Sequence, residues 1–281
     1  MRARTVGLVG GGVVVAAAAV AVVGAVAWNR TTEHDVARLV GRDAGVDREG
    51  GRYDPSELAG LPAPVVRYFA FALTPGQPLV GRARLEQRGT FATAPGKWAR
   101  FAAVEHFSVS PPGFLWDARI RMAPLVTTRV RDGYVRGEGS MRAAVAGLVT
   151  VANQRGTPEM ATSSLLRYLA EAAWLPTALL PSAGVRWTPI DDGTARATLT
   201  DGATTATMDV HFGPAGEIAR VTALRHRDVK GTPVLTPWEG RFTDYERTSG
   251  MMVPGYGEVG WILDSVWTPY WRGRTVRAAY E

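Results

Sequence analysis

From residue 79 onward the chain is cut by turn signals so closely spaced that short antiparallel strands are the main structure they permit. Runs rich in β-branched and aromatic residues span 84–91, 97–110, 113–122, 125–131 and 134–141. They resume at 185–190, 194–200, 204–212, 217–228, 237–247, 258–264 and 271–280. Between them lie Asp132-Gly133, Asp191-Asp192-Gly193, Asp201-Gly202, Gly213-Pro214-Ala215-Gly216 and Ser249-Gly250. Strands joined by so few residues must run antiparallel. Asp132-Gly133 between two such runs predicts a tight hairpin. No βαβ alternation and no internal repeat is visible, so the expected topology is a meander.

Two segments break the strand pattern. Residues 61–73 read as a helix with Pro62 and Pro64 at its start, where missing N–H groups cost little, and with Val65, Val66, Phe69 and Leu73 on one face. Residues 158–174 read as a longer one, with Thr157 as N-cap, Pro158 at the first turn and a Leu165, Leu166, Leu169, Ala173 stripe. Arg167 and Glu171 are spaced as a helical ion pair. A sheet of this many strands must curl or close to bury a face. The predicted fold is therefore mainly β with helices (α+β): one curled antiparallel sheet or half-barrel, covered by helices, with a concave apolar interior.

Ahead of this domain, residues 5–29 carry no charge. Arg2 and Arg4 precede the run, and Trp28 and Arg30 close it. Its length suffices for a transmembrane helix, which needs about 20 apolar residues, and Trp28 stands where an interfacial aromatic belongs. A cleaved signal peptide ending near Ala25-Val26-Ala27 and a buried core helix are the alternatives. The expected division is an anchor at 1–29, a juxtamembrane linker at 30–60 and a β-rich domain at 61–281. The partner implied for residues 5–29 is the lipid bilayer. The expected location is the cell membrane, crossed once, with the C-terminal domain outside the cytoplasm. Arg30, Arg38 and Arg42 offset Arg2 and Arg4 and leave the side undecided.

Composition narrows function mainly by exclusion. The chain has no cysteine, hence no disulfide framework and no thiol chemistry. Its net charge of +6 is spread along the chain, without the basic stripe that tracks phosphates, so no nucleic-acid partner is expected. Gly255-Tyr256-Gly257-Glu258-Val259-Gly260 matches G-x-G-x-x-G, but a strand-like run follows where a dinucleotide site needs a helix. His226-Arg227-Asp228 lacks the partners of a kinase loop. Glu105-His106 supplies two metal ligands only if others converge, and no His pair has helical metal spacing. No nucleophile elbow is present. No cofactor, metal or catalytic residue is predicted, and an enzyme ranks behind binding and interaction roles.

Tryptophan is the suggestive residue type. Trp116-Asp117, Glu171 with Trp174, and Trp238-Glu239 each set an aromatic body beside a carboxylate. These six residues are the candidate rim of an apolar ligand pocket.

The order of several pieces resembles an uncharacterised bacterial family, a domain of unknown function often carrying an N-terminal membrane anchor. The matching residues are Leu61-Pro62-Ala63-Pro64-Val65-Val66-Arg67-Tyr68, Gly113-Phe114-Leu115-Trp116-Asp117-Ala118, Tyr168-Leu169-Ala170-Glu171, Trp174-Leu175-Pro176, Pro237-Trp238-Glu239-Gly240 and Pro269-Tyr270-Trp271-Arg272. That resemblance brings no activity with it. The late hairpins are also similar to periplasmic lipoprotein-carrier and lipoprotein-sorting domains, in which a half-barrel and its covering helices hold acyl chains. The uncharged run, the curled-sheet pattern and the tryptophan-rich strands together lead to the expectation of an extracytoplasmic domain that binds a hydrophobic ligand, such as lipid or a lipidated partner. The alternative is a non-catalytic module of a cell-envelope complex.

Overall fold

The computed structural model describes residues 22–41, 44–45, 48–124 and 126–281. Among the described residues, thirteen strands form one antiparallel sheet. The first meander is β1 (Arg82–Ala94), β2 (Lys97–Ser108), β3 (Gly113–Ala123), β4 (Val126–Val135), β5 (Glu138–Val145) and β6 (Val149–Arg155). The second is β7 (Arg186–Asp191), β8 (Thr194–Asp201), β9 (Thr204–Phe212), β10 (Ile218–Val229), β11 (Thr232–Thr248), β12 (Met251–Leu263) and β13 (Val266–Tyr280). They join where β1 pairs β13, leaving β6 and β7 as the two edges, so the sheet is open.

Three α-helices accompany the sheet among the described residues: α1 (22–39), α2 (Ala63–Ala72) and α3 (Pro158–Glu171). Thr157 caps α3 by accepting from the Met160 N–H, and Pro158 fills its first turn. Leu165, Leu166 and Leu169 of α3 are buried. The helix lies in the concavity, against β3, β4 and β5 on one side and β9 and β10 on the other. The curl brings the two meanders within hydrogen-bond reach: Tyr134 Oη donates to Asp201 Oδ2 at 2.8 Å, and Gln154 Nε2 to Asp228 Oδ2 at 2.7 Å.

The glycine motif in β12 has a structural role. Gly257 pairs with Gly273, which pairs with Gly89, so three glycines cross the central strands in one row. A Cβ at Gly273 would fall 2.5 Å from the Trp271 ring, and one at Gly257 3.2 Å from Trp174. Bare backbone here lets two indoles approach the inner wall closely.

The hairpin predicted at Asp132-Gly133 is displaced. Both residues sit inside β4, and the turn is Arg136-Gly137, with φ of 53° and 84°. Such φ values suit a two-residue turn whose twist matches the strands. Gly133 is needed for another reason: a Cβ there would meet the Phe114 carbonyl and Leu115 at 2.9 Å. β6 shows no strand pattern in sequence because it is a short, mostly exposed edge with polar residues from Asn153 to Arg155.

Residues 5–21 of the predicted anchor lie outside the described residues. No described helix is long and apolar enough to cross a membrane. Trp28, expected at a bilayer interface, is 2% exposed. α1 packs against the outer face of β3–β5, where Trp28 Nε1 donates to Asp117 Oδ1 at 3.0 Å. The guanidinium groups of Arg129, Arg131 and Arg142 stand 5.5, 5.0 and 5.4 Å from its ring centroid.

Candidate functional site

Between α3 and the inner face of the sheet lies a cavity of about 870 Å³. Its wall includes Trp116, Trp174, Trp238, Trp261 and Trp271, five of the chain's nine tryptophans, with Phe91, Phe242, Met141 and Met160. Strand and helix geometry put them there. Trp238 pairs with Trp261 across β11 and β12, and Trp261 stacks on Tyr270 with ring centroids 5.7 Å apart. Trp116 Nε1 donates to Gln87 Oε1 at 2.9 Å, Trp174 Nε1 to the Pro254 carbonyl at 2.8 Å and Trp238 Nε1 to Tyr270 Oη at 2.9 Å. Three indole N–H groups are thereby satisfied within the protein, which leaves the ring faces as apolar wall.

One side of the cavity is strongly polar. Arg167 of α3 donates to Glu105 Oε1 at 3.0 Å, Asp132 Oδ2 at 2.7 Å and Glu171 Oε1 at 2.9 Å. Its guanidinium also lies over Phe114 and Trp116, at 4.7 and 5.2 Å. Glu105 is fully buried, and its Oε2 accepts from Gln87 Nε2 at 2.8 Å. Three carboxylates around one cation leave negative charge in excess. Burial, and then the charge of Glu171, push the Glu105 carboxyl well above the usual carboxylate range. Glu171 Oε2 is buried with no hydrogen-bond partner among the described residues. Burial alone would lower the Arg167 pKa, but Glu171, Glu105 and Asp132 outweigh it and hold the guanidinium charged.

The six residues predicted for the pocket separate by geometry. Trp116, Glu171, Trp174 and Trp238 line the cavity. Asp117 and Glu239 do not. Adjacent residues in a strand face opposite ways, so Trp116-Asp117 and Trp238-Glu239 are each split between the two faces of the sheet. Asp117 accepts from Trp28, Thr32 and Arg129 outside. Glu239 holds Arg220 at 3.1 Å and Arg241 at 2.6 Å. Glu171 and Trp174 stay together because three residues make about one helical turn. Glu105 and His106 are likewise adjacent in β2 and do not converge as ligands.

Sequence reasoning missed Gln87, Glu105, Asp132, Arg225 and Tyr270 as cavity chemistry. Arg167–Glu171 was visible from its spacing. Asp132 was read as a turn residue because Gly133 follows it.

Fold and cavity define a mainly β domain with an aromatic-lined interior and a buried ionic cluster on one wall. The model of DUF6544, a family of unknown function, matches residues 51–273, and the chain belongs to that family. No curated protein matches it. Among solved structures it is similar to a LolA superfamily protein from Nitrosomonas europaea, at 9% identity and a TM-score of 0.39, covering 78% of this chain and 92% of that one. It is also similar to a β-barrel-like protein of the DUF1849 domain from Brucella abortus, at 10% identity and a TM-score of 0.29, covering 72% and 98%.

Proposed function

We propose that this protein binds the apolar part of a lipid or of a lipidated partner in the cavity between α3 and the curled sheet. The observation that carries this is the tryptophan-lined cavity of about 870 Å³. Ligand pockets run from about 300 to 1,000 Å³, with mostly apolar walls and a few placed polar groups. Native mass spectrometry of the purified full-length chain, followed by solvent extraction, tests it. A stoichiometric lipid is the expected result. A ligand-free protein that also takes up no added fatty acid would refute it.

We propose also that the domain works at a membrane surface. Val22, Val23 and Val26 of α1 are exposed, as are Leu148, Val149 and Val151 at the β5–β6 turn. Leu148 lies against Gly24, which sets the start of α1 beside the β5–β6 turn. Arg30, Arg119 and Arg121 are exposed on the adjoining α1 and β3, and the preceding residues 5–21 are uncharged. Exposed apolar side chains with arginines nearby suit anionic lipid heads. Full-length chain should sediment with membranes after an alkaline wash; recovery in the supernatant would remove this part of the proposal.

A second reading, acid–base catalysis, is favoured only by the convergence of Glu105, Asp132 and Glu171. It predicts turnover of a bound ligand that Glu171→Gln abolishes.

A further inference from the structure

The cavity has a second polar region, and it is built of donors. Ala223 of β10 pairs with Trp238 of the cavity wall. Residues two apart in a strand share a face, so Arg225 and Arg227 both point inward. Arg225 Nε donates to the Ser163 carbonyl at 3.2 Å, and its Nη1 to Tyr270 Oη at 3.0 Å. The guanidinium stands 5.6 Å from the Trp238 ring and 6.0 Å from Trp261. These contacts fix its position without neutralising it, because no partner is an anion. Among the described residues Arg227 Nε is buried with no hydrogen-bond partner, and so is Ser163 Oγ in the same cavity wall. The adjacent carboxylate, Asp228, is occupied by Gln154 Nε2 and the Gly231 N–H.

Buried polar atoms in folded proteins almost always have partners. Here Arg227 Nε and Ser163 Oγ lack partners among the described residues, and Arg225 is hydrogen-bonded but paired with no anion. We infer that the ligand is an amphiphile with an anionic head, a carboxylate or a phosphate, held by Arg225, Arg227 and Ser163. This rests on the cavity being an apolar-ligand site. The Arg167 wall offers no rival position, since its guanidinium is committed to three carboxylates and its excess charge repels an anion. The ligand therefore enters with a fixed polarity: head at α3–β10, chain along Trp116, Trp174 and Trp238.

Competition against Nile red on the full-length protein tests this. The competitors are palmitic acid, a palmitoyl lysophosphatidic acid and palmityl alcohol. Charge-assisted hydrogen bonds predict that an anionic competitor outperforms the alcohol by about tenfold or more. The stronger of the two anions identifies carboxylate or phosphate as the head. In Arg227→Gln, and further in Arg225→Gln with Arg227→Gln, the acid-to-alcohol ratio should collapse towards one. Among the described residues Arg227 has no hydrogen-bond or ion-pair partner to lose, so its variant keeps the test valid if loss of Arg225 impairs folding. Equal competition by acid and alcohol in the unmodified chain overturns the inference, as does a ratio that survives Arg227→Gln. Absence of saturable Nile red binding overturns the cavity reading itself, and this inference with it.

Discussion

Trp116 and Asp117 are neighbours in sequence, yet each belongs to a different ionic cluster on a different face of the same sheet. Inside, one arginine, Arg167, serves Glu105, Asp132 and Glu171. Outside, Arg129, Arg131 and Arg142 surround Trp28, with Asp117 and Asp35 as counter-ions. The two clusters carry opposite excess charge and respond to burial oppositely. The inner one raises the Glu105 pKa, by burial first and Glu171 second. The outer one lowers the pKa of Arg129 and Arg131, by burial first, against the pull of their carboxylate partners. Inside, the excess raises the proton affinity of Glu105; outside, cations spread over an indole face. The inner cluster rigidifies the cavity wall, and the outer one fastens α1 to the sheet.

The contrast breaks most sharply at its inner cation. Arg167→Met leaves three carboxylates crowded without their partner and should cost about 3–5 kcal/mol, as loss of one member of a buried ion pair does; urea unfolding measures it. Next comes Trp28→Ala, expected to cost about 3 kcal/mol as a buried-aromatic truncation. The discriminating readout is limited proteolysis: α1 should become cleavable while the sheet persists. If both regions unfold together, α1 is integral to the core rather than fastened on.

A smaller effect concerns pH. The folded-state pKa of Glu105 is raised, so the folded chain holds a proton that the unfolded chain gives up near pH 4.3. Stability from this group is therefore complete below that pH and falls as pH climbs towards the folded-state pKa. Glu105→Gln should flatten that decline, at a cost of about 1 kcal/mol in acid. A variant whose pH–stability curve keeps the same slope would place the proton elsewhere. The smallest effect belongs to an exposed pair with similar geometry. Arg196 pairs with Asp209 across β8 and β9 at 2.7 Å, and Arg196→Ala should cost at most about 0.5 kcal/mol. A loss comparable to that of Arg167→Met would mean that burial is not what separates these clusters.

Much of the fold was legible because its signals are local. Pro158 after Thr157 marked α3, and the dipeptides at 192–193 and 249–250 marked their turns. Asp132-Gly133 misled because glycine serves two needs: a turn requires its positive φ, whereas Gly133 answers to the close approach of Phe114 and Leu115. The site was less legible. Tryptophan abundance pointed to an aromatic interior, but pairing each tryptophan with the carboxylate beside it ignored the alternation of strands. That is why Glu171 reaches the cavity and Asp117 and Glu239 do not. Glu105 meets Arg167 across 62 residues, and Arg225 meets Tyr270 across 45. No short-range pattern encodes such contacts.

The central claim is that the cavity holds an apolar chain, and its tryptophans provide the reporter. Titrating the full-length protein with a dibrominated fatty acid, a contact quencher, should give saturable one-to-one loss of tryptophan fluorescence. Ala143→Trp, which fills the cavity beside Met141 and Val130, should abolish it. Quenching that rises linearly without saturation, or that persists unchanged in the filled variant, would contradict the account.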